Sequence, residues 1–176
     1  MMSGLLVIIA FSLLLVACRD GEPHERFNPR TTSVNLVVAL EMFYEEYFYL
    51  PGGKGGTSPD RTVTTAGETG SPMMASLLGL RVAIDENPKF LQFVESQFAK
   101  NGKDGLVKIN ESANLYDPWG NPYYIRLNSD GDNQLKVPVT NEVLFDRRAV
   151  VWSLGPDGKS GTPETDRDNV YSWYRD

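Results

Sequence analysis

The sequence has little of what many enzymes and metalloproteins use for catalysis. Its 176 residues include one cysteine and one histidine. A single cysteine excludes an intrachain disulfide and a cysteine-rich metal site. The histidine, His24, lies in a stretch rich in charge, glycine and proline. A catalytic pair or triad built on histidine is therefore not expected.

Basic residues are outnumbered by acidic ones, 17 to 23, which gives a formal net charge of −6 at pH 7. Binding to the phosphates of nucleic acids requires a basic face, and the sequence has no basic cluster. The composition therefore argues against a nucleic-acid partner. The hydrophobic content of 41% is ordinary for one globular domain, here with an anchor.

No apolar run reaches the roughly twenty residues that a membrane-spanning helix needs. The longest, residues 5–17, is typical of the apolar region of a signal peptide. Cys18 follows directly after Leu15-Val16-Ala17, a pattern that resembles a bacterial lipobox, in which the cysteine is acylated. Two alternatives stay open: a prepilin leader cleaved after Gly4, and an uncleaved anchor.

The remaining chain divides into a tether and one domain. Residues 1–18 are predicted to be the signal or membrane-anchor segment, residues 19–27 a polar tether, and residues 28–176 a globular domain. Asn28-Pro29 predicts a helix start, because asparagine caps helices well and proline suits the first helical position. The helix is expected to run to about Leu50.

Apolar side chains at helical spacing in this first helix, Leu36, Leu40, Phe43 and Tyr47, predict a face packed on a sheet. Residues 54–71, rich in small and polar side chains, are expected to form a mobile loop. Two further helices are predicted: a short one over residues 73–80, and one over residues 88–99 with Phe90, Leu91, Val94 and Phe98 at helical spacing.

Short strands separated by turns follow these helices. Together with the first helix they predict an α+β fold with a small antiparallel sheet. Residues 149–154 are expected to be the most buried strand, and residues 138–147 an irregular excursion. The other expected strands are residues 106–109, residues 123–127, and residues 134–137 paired back on 123–127 through a tight turn at 128–133.

A glycine-rich loop with three carboxylates follows the most apolar strand. Asp157, Asp166 and Asp168 lie in it, and Tyr171 and Trp173 come after it. Hard cations such as Ca²⁺ take carboxylate and backbone carbonyl oxygens from loops of this kind. Two of these aspartates would also be candidates for acid–base catalysis. The glycine-rich setting suits a cation better, and no other catalytic set is visible, so a non-enzymatic role is predicted.

Two motifs carry a family resemblance. Residues 117–123 read Asp-Pro-Trp-Gly-Asn-Pro-Tyr, and residues 153–158 read Ser-Leu-Gly-Pro-Asp-Gly. Together they resemble the globular domain of the major (G-type) pseudopilin of bacterial type II secretion, over roughly residues 114–173. The resemblance implies a pilin-like fold, with a long N-terminal helix on a small antiparallel sheet and a C-terminal calcium-binding loop. Trp119 is expected to lie against the core.

The resemblance also implies a ligand set for one structural Ca²⁺ ion. Its side-chain ligands would be Asp157 with Asp166, Asp168 or both. The carbonyl of Leu154 and one near Ser160 would add oxygens, because calcium takes six to eight.

The function implied is that of a structural or accessory subunit of a type II secretion system. The chain would be membrane-anchored through its N-terminus, lie outside the cytoplasm of a bacterium, and contact other pseudopilin or secretion subunits. The alternative is a lipid-anchored binding module that reuses the fold. Acylation at Cys18 favours the binding module, whereas cleavage at Gly4 favours a filament subunit.

Overall fold

The computed structural model describes residues 28–54 and 58–174. The predicted anchor with Cys18 and the predicted tether lie outside the described residues. The described part is α+β, with two α-helices, a four-stranded antiparallel sheet and two smaller two-stranded sheets. This confirms the predicted class and the small antiparallel sheet. No helix in residues 28–54 or 58–174 has the length and apolar character to cross a membrane.

The elements of the described residues, in chain order, are α1 (Pro29–Tyr47), β1 (Arg61–Thr64), α2 (Gly67–Leu77), a 3₁₀ turn (Arg81–Ala83), β2 (Gly105–Ile109), β3 (Ser112–Tyr116), β4 (Tyr124–Leu127), β5 (Gln134–Lys136), β6 (Val143–Phe145), β7 (Ala149–Ser153) and β8 (Val170–Tyr171). The four-stranded sheet has the strand order β1-β4-β7-β8, and β2 pairs separately with β3, as β5 does with β6.

Helix α1 begins where the sequence predicts. Asn28 is the N-cap, and its side chain accepts a hydrogen bond from the backbone N–H of Arg30 at 2.9 Å. The helix ends at Tyr47 because Phe48 adopts a left-handed conformation with φ 61°, a common way to terminate a helix. At 19 residues it stops before the predicted Leu50. The long N-terminal helix implied by the resemblance is not seen in the described residues.

Strand β7 lies at the centre of the core, and all of its residues are buried. Ala149 and Val151 face α1 and join a cluster with Leu36 and Phe43. Val150 points the other way, into a second cluster with Leu135 and Val137. Burial on both faces explains why this strand reads as a continuous apolar run. The prediction of the most buried strand is confirmed.

The predicted helix over residues 88–99 is wrong. Asn87 is buried, and its side-chain amide donates to the carbonyls of Ser76 at 2.8 Å and Leu91 at 2.7 Å. The backbone of the following segment bonds to neighbouring elements rather than to itself. The N–H of Phe93 donates to the Leu77 carbonyl at 2.8 Å, and the Gln97 carbonyl accepts from β2. The helical spacing does not produce a shared face, since Val94 is buried while Phe98 is 72% exposed.

Five further expectations need correction. The predicted loop at 54–71 contains β1 and the start of α2, and α2 spans Gly67–Leu77 rather than residues 73–80. Residues 134–137 do not pair back on 123–127, because β4 pairs with β1 and β7 on its two edges. Strand β5 pairs with β6 instead, so residues 138–147 are not wholly irregular. Trp119 is half-buried and lies outside both core clusters.

Candidate calcium-binding loop

The loop that follows β7 is closed by a tight backbone contact. Gly155 has φ +64°, and a Cβ atom there would lie 2.3 Å from the backbone oxygen of Asp168. The first and last turns of the loop therefore touch, with no room for a side chain between them. Glycine is required here for its conformation and for its size.

A fully buried carboxylate joins the loop to the motif at residues 117–123. Oδ1 of Asp117 accepts hydrogen bonds from the three successive backbone N–H groups of residues 119–121, at 2.9, 2.8 and 2.8 Å. Its Oδ2 accepts one from the Ser153 hydroxyl at 2.6 Å. The same hydroxyl oxygen accepts from the N–H of Gly155 at 3.1 Å. Asp117 thus organises its own turn and fixes the end of β7.

A second link runs between the same two segments. The side-chain amide of Asn121 donates to the Gly155 carbonyl at 2.7 Å. A Cβ at Gly158 would lie 3.0 Å from the Asn121 side-chain oxygen, so the start of the loop rests on this residue. The sequence did not identify Asn121 as a site residue, although Asn121 lies within the motif at residues 117–123.

Two of the predicted acidic ligands close local turns. Oδ1 of Asp157 accepts from the N–H of Lys159 at 2.8 Å. Oδ1 of Asp166 accepts from the N–H of Gly161 at 2.9 Å and from the Asn169 amide at 3.1 Å. Such bonds are typical of aspartate in turns. Each leaves lone pairs that a cation would accept.

Asp168 is the acidic residue that the structure places at the junction of the loop. Its Oδ2 lies 3.4 Å from the backbone nitrogen of Asp157. Its Oδ1, and Oδ1 of Asn169, are buried and have no hydrogen-bond partner within the described part of the chain. Buried polar atoms are almost always paired. These unpaired oxygens, on two consecutive residues, are therefore candidates to coordinate a cation, and sequence reasoning missed Asn169.

The other predicted ligands are placed differently. Leu154 is buried directly after β7, whereas Ser160 is exposed in the loop. Within residues 28–54 and 58–174, no three His, Cys, Asp or Glu side chains group closely enough to hold a metal ion. The structure brings Asp168 to the backbone of Asp157 and does not gather all three aspartates.

No family model, curated protein or solved structure matches this chain.

An aromatic cluster that includes Trp152 of β7 lies beyond the loop. Trp152 stacks on Tyr124 with ring centroids 5.6 Å apart and meets Trp173 edge-on at 6.2 Å. Oε2 of Glu142 accepts hydrogen bonds from the Trp173 indole at 3.1 Å and the Tyr174 hydroxyl at 2.8 Å. Glu142 thereby holds the chain after β8 against the sheet.

This carboxylate gives a pH prediction. The hydrogen bond from Tyr174, with those from Trp173 and Thr140, holds the pKa of Glu142 below its ordinary value. A carboxyl group whose pKa is lower in the folded than in the unfolded state stabilises the fold when it is ionised. This contribution is complete at pH values above the unfolded pKa of about 4.3, and it is lost as the pH falls through the folded pKa. Glu142→Gln should lower the melting temperature at pH 6 and flatten its fall between pH 5 and 3. Tyr174→Phe should give part of this effect, and parallel wild-type and Glu142→Gln curves would contradict the assignment.

Proposed function

We propose that the chain is a non-enzymatic, pseudopilin-like structural or accessory subunit of a type II secretion system, stabilised by calcium and anchored to a membrane outside the cytoplasm. The proposal rests on the resemblance of residues 117–123 and 153–158 to the major pseudopilin. The structural observation that supports it is the Asp117 carboxylate, which bonds to Ser153 at 2.6 Å. The two motifs, distant in sequence, form one hydrogen-bonded unit around the loop.

The arrangement favours a structural role over catalysis. Asp117 is buried, and both its carboxylate oxygens are engaged. Asp157 and Asp166 are engaged with backbone N–H groups of their own turns. General acid–base work needs a carboxylate within reach of a bound substrate, and these groups are committed to holding the loop. The loop connects β7 to β8, and these two strands pair antiparallel.

The unpaired oxygens of Asp168 and Asn169 support a calcium ion in this loop. Asp168 would supply the buried carboxylate oxygen, with Asn169 beside it and Asp157 or Asp166 as further ligands. The carbonyls of Leu154 and of a residue near Ser160 remain candidates to complete six to eight oxygens. When bound, the ion would supply positive charge among the loop's carboxylates and hold in place the part of the loop that leads into β8.

Calcium is therefore expected to raise thermal stability. An ion that binds the folded state alone adds about 2.7 kcal/mol at a concentration 100 times its dissociation constant. For a domain of this size that corresponds to a rise of roughly 5–10 °C over the same protein in chelator. Asp168→Asn and Asp157→Ala should each reduce or abolish this rise. Thermal unfolding by circular dichroism measures it.

A matched control is Asp130→Ala, which removes an aspartate from another Asp-Gly turn. Asp130 is exposed and bonds to the N–H of Asp132 at 3.2 Å. The calcium-dependent rise should survive in this variant. Equal melting temperatures of the wild type in calcium and in chelator would refute the calcium site.

One observation favours the second candidate, a lipid-anchored binding module. Helix α1 has a capped start, since Asn28 is extended, with φ −66° and ψ 116°, and its side chain bonds to the first turn. A helix that begins with its own cap suits a domain held by a tether, whereas filament subunits need a continuous helix. The lipobox-like stretch ending at Cys18 points the same way, and it lies outside the described residues.

Two experiments separate these functions. Intact mass of the membrane-extracted protein distinguishes acylation at Cys18, cleavage after Gly4 and an unprocessed chain. In the native bacterium, deletion of the gene should abolish export of type II substrates, and the wild-type gene should restore it. Unimpaired secretion combined with an acylated Cys18 would reject the secretion subunit in favour of the binding module.

A further inference from the structure

A cavity of about 810 Å³ lies over the middle of α2, and none of the residues that line it belongs to the candidate calcium-binding loop. Pro72 and Ala75 line this α2 cavity from the helix. One wall is formed by the 3₁₀ turn and the residues after it, with Val82, and the other by the tip of the β2–β3 hairpin, with Ile109. Helix α2 packs against both the 3₁₀ turn and β3. The cavity is therefore the gap that these two elements leave above the helix.

Each wall of the α2 cavity combines an exposed apolar side chain with acidic ones. Val82 and Ile109 are 58% and 62% exposed. Asp85 and Glu86 come after Val82 on one wall, and Glu111 comes after Ile109 on the other. Concave apolar surface with a few polar groups around it is typical of a binding site. The cavity thus offers negative charge on both sides of an apolar surface.

No basic side chain forms an ion pair with these three carboxylates in the described part of the chain. Lys54 is close to one of them, but its ammonium group donates to the backbone carbonyl of Asp85, at 2.5 Å. Arg81 and Lys108 are sequence neighbours of the two exposed apolar residues and do not line the cavity. The side chains that line the cavity therefore carry three negative charges and no positive one.

Hydrogen bonds hold both walls of the α2 cavity in place. The hydroxyl oxygens of Ser71 in α2 and Ser112 in β3 are hydrogen-bonded at 2.5 Å. On the other wall, the buried side chain of Asn87 donates to a carbonyl of α2 at 2.8 Å. The carboxylate of Glu86 accepts a hydrogen bond from the N–H of Gly52 at 3.0 Å. A site that is formed before its ligand arrives loses little free energy in ordering when the ligand binds.

We propose that the α2 cavity binds an extended segment of a partner polypeptide in which two basic side chains flank apolar ones. One basic side chain meets Asp85 and Glu86, the other meets Glu111, and the apolar residues between them contact Val82 and Ile109. In the described residues no three acidic side chains group closely enough to hold a metal ion, and the volume is near the upper end of the roughly 300–1,000 Å³ of ligand pockets. Both observations favour an extended organic ligand. The proposal goes beyond the secretion role and does not rest on it.

Peptide binding to the full-length, detergent-extracted protein tests the charge pattern. The probe is a short peptide with lysine at each end and leucine, alanine and leucine between, capped at both termini and labelled with an uncharged dye. Fluorescence anisotropy measures its dissociation constant. Glutamine in place of both lysines should raise this constant about tenfold, because two exposed ion pairs are lost, and glutamate should abolish binding. High salt should weaken the lysine peptide and leave the glutamine peptide nearly unchanged.

Variants of the protein test the location of the site. Asp85→Asn combined with Glu111→Gln, both at exposed positions, should weaken the lysine peptide about tenfold and spare the glutamine peptide. Ile109→Ser should weaken both peptides, since the apolar contact is common to them. Glu95→Gln, exposed and outside the cavity, is the matched control, and circular dichroism checks that each variant is folded. Failure of the lysine peptide to bind, equal binding of the lysine and glutamine peptides, or unchanged affinity in the double variant would overturn the proposal. So would displacement of the peptide by equimolar spermidine, which indicates a site for small polycations.

Discussion

Asp117→Ala should lower the free energy of unfolding by about 3–5 kcal/mol, since each buried group left without its hydrogen-bond partner costs about 1–3 kcal/mol. Three backbone N–H groups and the Ser153 hydroxyl lose their acceptor at once. Asp117 is fully buried, so water cannot replace it without the turn opening. Urea unfolding followed by tryptophan fluorescence measures the change.

Two variants test the cause of that loss. Ser153→Ala removes one of the four groups and should cost about 1–2 kcal/mol. Asp130→Asn, at an exposed turn, should stay within about 0.5 kcal/mol of the wild type. If Asp117→Ala is no more destabilising than Ser153→Ala, the bonds to residues 119–121 contribute nothing. Asp117 would then not organise the loop.

Gly155→Ala should destabilise the protein by about 3–4 kcal/mol. An alanine in the left-handed region costs about 1–2 kcal/mol, and overpacking adds about 1–3 kcal/mol. The new Cβ would lie 2.3 Å from the Asp168 backbone oxygen, and neither backbone segment is free to move without breaking the loop. The calcium-dependent rise in melting temperature should disappear in the same variant, because Asp168 is displaced.

Gly131→Ala separates strain from contact. Gly131 has φ +71° and no atom within 4 Å of the position of a Cβ. This variant should therefore show the conformational cost alone, about 1–2 kcal/mol. The difference between the two alanine variants measures the contact between Gly155 and Asp168. Equal losses in urea unfolding would mean that this contact does not hold the loop closed.

The elements that were predicted correctly are those that depend on capping residues and on the pattern of apolar side chains along the chain. Asn28 and Pro29 mark the start of α1 because capping depends on neighbouring residues alone. The apolar row of Leu36, Leu40 and Phe43 identified the buried face. Strand β7 was recognisable because burial on both faces requires an unbroken apolar run.

Two of the errors have a different cause, which is pairing with distant segments. The backbone of residues 88–99 forms hydrogen bonds to α2 and β2. These residues therefore do not form a helix, although their apolar side chains are at helical spacing. Strand β4 takes β1 as its neighbour, from a segment with few large apolar residues, and the turn at 128–133 therefore does not form a hairpin. The loop's acidic residues were found from composition. The link from Asp117 to Ser153 is visible only once the strands are placed.

The packing of α1 on β7 determines the stage of synthesis at which the chain can fold. The ion pair between Glu41 and Arg148 joins residues 107 positions apart, and the buried face of α1 is covered by Ala149 and Val151. During synthesis from the N-terminus, the core cannot close until the residues of β7 have emerged. A chain exported across a membrane as proposed would therefore still be unfolded while the residues before β7 pass through a narrow channel, and it would fold after arrival.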